Sequence, residues 1–136
     1  MKGLFLSEKD IAVVTVYLAN GKKEKEQLWV SNNKKELAKN KEVDEGTIEE
    51  HSITFRKPAY GDIVNIYKMD VQVTGDEINS VDLDLITLRY NQFAQLAVDW
   101  TFTDDDGEPV ALTPLNIRKL HPQLANLIVG ELENLI

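Results

Sequence analysis

The densest run of metal-ligand side chains in the chain is Asp104-Asp105-Asp106-Gly107. Carboxylates at alternate positions before a glycine suit calcium, because an EF-hand loop uses D-x-[DN]-x-[DN]-G with a glutamate at position 12. With Gly107 at position 6, Phe102 falls at position 1 and Thr113 at position 12. Neither can supply the carboxylate the ion needs there, so the run reads as a solvated turn, and the expectation is no metal. The two histidines, His51 and His121, lie 70 positions apart with no paired-histidine spacing. Each reads as a surface or interface residue rather than a base or a ligand. None of Ser7, Ser31, Ser52 and Ser80 sits in a G-x-S-x-G elbow. No glycine-rich phosphate loop of either common spacing occurs. The chain has no cysteine, which removes thiol nucleophiles, disulfides and Cys-based zinc sites. The expectation is a protein that is not an enzyme and takes no cofactor.

The other residues with a functional reading are apolar. Trp29 and Trp100 are of the type enriched at binding hot spots. Leu124, Leu127, Ile128 and Leu132 form one stripe at helical spacing. These six are the candidate partner-binding residues. The plainer alternative is that Trp100 and the C-terminal stripe are core.

Ile11 to Leu18 is dense in β-branched and aromatic residues and reads as a strand. Asn20-Gly21 signals a type I′ hairpin with Lys25 to Val30 as the returning strand, the alternative being that Lys22 to Glu26 belongs to a long mobile loop. Residues 31–50 are polar and mixed in charge. They read as a loop that orders on binding, or as one holding a short helix at 34–39. Ser52 to Arg56 predicts a strand ended by Pro58, and Asp62 to Val71, with Ile63, Ile66, Tyr67 and Asp70/Val71 at helical spacing, a short amphipathic helix broken at Thr74-Gly75-Asp76. Leu83, Ile86, Tyr90, Phe93, Ala97 and Trp100 recur at alternating steps of three and four, predicting one long helix capped by Asn79, Ser80 or Asp82. Asp104 to Pro109 is a tight turn, Thr113-Pro114 is an N-cap followed by the first helical residue, and Pro122 restarts a last helix to Ile136. The expected fold class is α+β: an N-terminal β-hairpin and short strands, then a helical half of three to four helices. The 136 residues suit a single domain, β-rich over 1–57 and helical over 58–136.

Apolar residues make up 43% of the chain, enough for a core. The N-terminal apolar run of three residues falls short of the roughly 7–15 of a secretory signal, and no run approaches the roughly 18 of a membrane span. The expectation is a soluble, unexported protein with no membrane contact. Net charge is −8, unevenly spread. Residues 1–57 hold 11 Lys/Arg against 10 Asp/Glu, and residues 58–136 hold 4 against 13. An acidic half repels phosphate backbones, so nucleic acid is not expected as a partner, and a basic or amphipathic protein is.

From Ile53 onward the chain resembles tail assembly chaperones of long-tailed bacteriophages. The resemblance rests on Phe55-Arg56-Lys57-Pro58 with Gly61-Asp62, on Ala97-Val98-Asp99-Trp100, and on Asp105 to Thr113 followed by Leu115-Asn116, Leu120 and Pro122. It implies a non-enzymatic protein of the host cytoplasm that binds the long, apolar, helix-rich tape measure protein and keeps it soluble during tail assembly. It also implies a longer frameshifted form beside the short one. It leaves a homo-oligomer open, transfers no client-binding residue, and does not reach residues 1–50. The competing reading is a structural virion component such as a tail-terminator or connector subunit.

Overall fold

Strict alternation over residues 11–16 of strand β1 (Ile11–Asn20) turns Ala12, Val14 and Val16 inward and leaves Ile11, Val13 and Thr15 outside, as a stretch covered on one face requires. The computed structural model describes residues 1–74 and 81–136, the side chains of 68–84 excepted. Among these residues the elements after β1 are strand β2 (Leu28–Ser31), helix α1 (Lys34–Lys39), a 3-10 turn at Glu45–Thr47, strand β3 (Glu49–Arg56), helices α2 (Tyr60–Thr74) and α3 (Val81–Leu96), strand β4 (Ala97–Trp100), and helices α4 (Pro114–Arg118) and α5 (Pro122–Leu135). The fold is α+β: the sheet lies mostly in the N-terminal half and the longer helices follow it. The strands run antiparallel in the order β2-β1-β3-β4. Val14 pairs with Ile53 and Val16 with His51, which sets their side chains on one face. On that face the strands, α3, α4 and α5 enclose a core around Ile53, Phe55, Phe93, Leu96, Ile128 and Leu132. Aromatic rings run edge to face through it, Phe55 to Phe93 to Trp100 to Phe102, at centroid distances of 5.2–6.4 Å.

Several expectations are corrected. The Asn20-Gly21 hairpin turn is not type I′, because neither residue takes a positive φ. Asn20 pairs with Leu28, so residues 21–27 form a longer loop, and the returning strand starts at Leu28. Gly21 is needed for closeness instead, since a Cβ there would lie 2.7 Å from the Glu24 carbonyl oxygen. Of the two readings of residues 31–50, the one with a short helix at 34–39 stands: Asn33 Oδ1 caps it, accepting from the Lys35 and Glu36 amides at 2.9 and 3.3 Å. Leu37 and Val43 bury against Ala19 on the far face of the sheet, with Tyr17, Trp29 and Ile48 packed around them. Those few apolar residues are enough to hold an otherwise polar segment.

The long helix stops at Leu96, and Ala97 begins a strand. Residues 97–100 satisfy the helical period, but β3 has an open edge, and Ile53 pairs with Trp100 and Thr54 with Asp99 to close it. The break at Thr74-Gly75-Asp76, the caps Asn79, Ser80 and Asp82, and the seam residue Leu83 lie wholly or by their side chains outside the described residues. The turn after β4 follows expectation. Asp104 Oδ1 accepts from the amides of Asp106 and Glu108 at 2.9 and 3.0 Å, and Gly107 takes φ +80°. Thr113 Oγ1 accepts from the Asn116 amide at 3.2 Å, with Pro114 as the first helical residue.

Candidate protein-docking surface

The helix pair α2–α3 springs from one polar knot. Arg56, the last residue of β3, donates from Nη1 and Nη2 to the Asp62 carboxylate, both at 2.9 Å, and from Nη2 to the Gln95 carbonyl oxygen at 2.8 Å. Asp62 also accepts from the Ala59 amide at 3.0 Å and from Gln95 Nε2 at 3.1 Å. A carboxylate thus answers a free amide just before α2, and a guanidinium answers a free carbonyl at the end of α3, each the charge that helix end favours. The Arg56 fork, with the Gln95 and Ala59 donors, holds the Asp62 carboxyl down at about 2 despite its burial. Asn91, also buried, donates from Nδ2 to the Ile66 carbonyl oxygen at 3.3 Å and ties the two legs together.

Ile66 faces inward from α2. On another side of the same helix Tyr60, Ile63, Val64 and Tyr67 are 84, 43, 45 and 56% exposed. Their steps of three, one and three define a complete helical stripe, the pattern that normally lies against another element. Here the stripe faces solvent. On α3, Leu85 and Ile86 are also exposed. A second apolar patch is the N-terminal arm, where Leu4, Phe5 and Leu6 stand outside the fold.

The six candidate residues are not brought together. Trp100, Leu124, Ile128 and Leu132 are buried in the main core, which corrects their reading as a partner surface. Burial there follows from the sheet, whose apolar face needs a cover that the α5 stripe supplies. Trp100 also donates from Nε1 to the Val110 carbonyl oxygen at 2.6 Å. Leu127 is half-buried at the edge of that core. Trp29 is half-buried on the opposite face of the sheet, with its Nε1 enclosed and unbonded. The exposed stripe was missed because Ile63, Ile66 and Tyr67 read as one face, and adding Tyr60 and Val64 shows two.

His51 is buried, which corrects its reading as a surface residue. Its Nε2 lies 2.9 Å from Glu49 Oε2 and its Nδ1 lies 3.1 Å from both the carbonyl oxygen and Oγ1 of Thr101. A hydroxyl, an imidazole and a carboxylate in line resemble a nucleophile with its base. Thr101 Oγ1, however, already accepts from the Ser52 amide at 3.0 Å, so the group pins β3 to the chain leaving β4. His121 accepts through Nδ1 from the Gln123 amide at 3.2 Å and caps α5. Among the described residues no three His, Asp or Glu side chains gather as a cation site, and no helix is long and apolar enough to cross a membrane.

Comparison with protein-family models, with curated proteins and with solved structures finds no match to this chain.

Proposed function

We propose that this protein is a non-enzymatic tail assembly chaperone of a long-tailed bacteriophage, working in the host cytoplasm to keep an apolar, helix-rich tape measure protein soluble. The observation that supports this most is the solvent-facing stripe Tyr60, Ile63, Val64 and Tyr67, which offers an amphipathic client helix a helix to pack against. The resemblance from Ile53 onward agrees with it. Covering these four exposed apolar side chains contributes about 1 kcal/mol each, so about 4 kcal/mol before the cost of association. Lost translational and rotational freedom takes at least about as much, so the stripe alone holds a client weakly and releasably. Coexpression tests the reading: the tape measure protein should aggregate alone and stay soluble in a copurifying complex with this chain. A client equally insoluble in both cases refutes it.

The exposed arm Leu4-Phe5-Leu6 favours a second reading, a structural virion component such as a tail-terminator or connector subunit whose arms reach neighbouring copies. Recovery of the chain from purified virions at fixed stoichiometry would select this reading, and its absence there the chaperone.

A further inference from the structure

Strand β1 outruns its outer neighbour. It pairs with β3 from Ile11 to Leu18, but with β2 only from Tyr17 to Asn20. Two hydrogen bonds fix which way each backbone group points. The Lys57 amide donates to the Asp10 carbonyl oxygen at 2.9 Å, and the Gly21 amide donates to the Gln27 carbonyl oxygen at 3.1 Å. Asp10 therefore faces β3 and Gly21 faces the β2 side, and alternation turns the odd-numbered residues between them toward the β2 side as well. Beyond Ser31 no strand continues there among the described residues, so both backbone groups of Val13 and Thr15 and the Ile11 carbonyl are unpaired. Sheet edges are normally guarded by charge, proline, a bulge or brevity. The other two edges follow that rule: β2 has four residues, and β4 has four, a register shift and Asp99. Residues 11–16 carry no charge, glycine or proline, and Ile11 and Val13 are 45 and 47% exposed on the outward face.

We propose that this open edge binds the same edge of a second copy, antiparallel and centred on Val13, so that one sheet runs through two molecules. The occupant must be extended backbone, because the edge offers a row of amides and carbonyls. The edge is also complementary to itself. About a two-fold axis at Val13, the two Val13 residues exchange both bonds, and each Thr15 amide donates to the Ile11 carbonyl of the other copy. The side chains of Ile11 and Thr15 then meet across the strands and Val13 meets its own copy, which covers the exposed apolar groups. The end of β2 sets the register. It stops opposite Tyr17, and in this register the second copy's Ile11 lies opposite Thr15, just short of it. The chain enters Ile11 through a bend, in which the Asp10 amide donates to the Ser7 carbonyl oxygen at 3.0 Å and the Ile11 amide to that of Lys9 at 3.1 Å. The contact joins the halves that repel least: residues 1–57 hold 11 Lys/Arg against 10 Asp/Glu, while the acidic surplus lies in 58–136. None of this depends on the chaperone reading.

The test is sedimentation of the full chain at about 100 μM, a concentration that populates even weak self-association. The unaltered chain should sediment as a dimer. Val13→Lys and Val13→Glu each set like charges directly opposite one another across the axis, so each alone should be a monomer. Both should keep the circular dichroism spectrum of the unaltered chain, because this side chain lies outside the core. An equimolar mixture of the two should recover the dimer at low salt and lose it as salt rises, since lysine then faces glutamate. If the charged variants do not fold, Thr15→Pro decides: it removes a donor from the open edge and none from the β3 ladder, and it should also give a monomer. An unaltered chain that stays monomeric overturns the proposal and leaves the edge to an extended segment of another protein. A dimer that survives both charged variants also overturns it, and if Leu4→Ser with Phe5→Ser removes that dimer, the contact is the N-terminal arm. A mixture that stays monomeric overturns the pairing of Val13 with itself.

Discussion

Replacing Asp62 by asparagine keeps the shape at the base of the α2–α3 pair and removes its charge. The carboxylate accepts four hydrogen bonds, two of them from Arg56, and is almost fully buried. Its ordinary carboxyl value of 3.8 falls to about 2 in the fold. At about 1.4 kcal/mol per unit this is about 2 kcal/mol of stability at neutral pH. The sign follows from the depressed value: the contribution is complete above the unfolded value and is lost as pH falls toward about 2. With these two values, about 1 kcal/mol of it has gone by pH 3. Asp62→Asn should therefore lower stability at pH 7 by about 2 kcal/mol, roughly 5–10 °C in melting temperature for a chain of this size. The gap to the unaltered protein should narrow by about 1 kcal/mol at pH 3. Urea unfolding at both pH values, followed by tryptophan fluorescence, measures this. A gap that is absent at pH 7, or the same at pH 3, refutes the reasoning.

Tyr60→Ser with Tyr67→Ser should leave urea stability within about 0.5 kcal/mol, because both side chains are exposed, yet lower client recovery in copurification. Leu132→Ala, at a fully buried position, should cost about 2–5 kcal/mol by urea unfolding. Gly107→Ala should cost about 1–2 kcal/mol in thermal melting, because φ +80° strains any side chain although nothing crowds the site.

Legibility in the sequence tracked how locally each feature is decided. The alternation in β1, the Asp104–Gly107 turn and the Thr113-Pro114 cap all depend on neighbours in the chain, and each stands where local chemistry puts it. The strand β4 does not: Ala97 and Trp100 fit a helix as well, and only the open edge of β3 selects pairing. The small cluster of Leu37, Val43 and Ala19 was hidden because its members are scattered among charges and meet only across the sheet. For the docking surface the difficulty ran the other way. A stripe at helical spacing shows which residues share a face but not whether that face is covered, so the α5 stripe invited a functional reading although it is core. The uncovered stripe on α2 sits beside an inward Ile66, and periodicity alone merges the two.

The junction between Leu96 and Ala97 has a mechanical consequence. Helix passes into strand with no linker residue, while Arg56 grips both helical legs from the end of β3. Any force applied to α2 therefore loads a lever with no hinge at this return leg. Torque reaches the β3–β4 rungs directly, so a pull strong enough to tilt the arm is felt as strain across the whole platform.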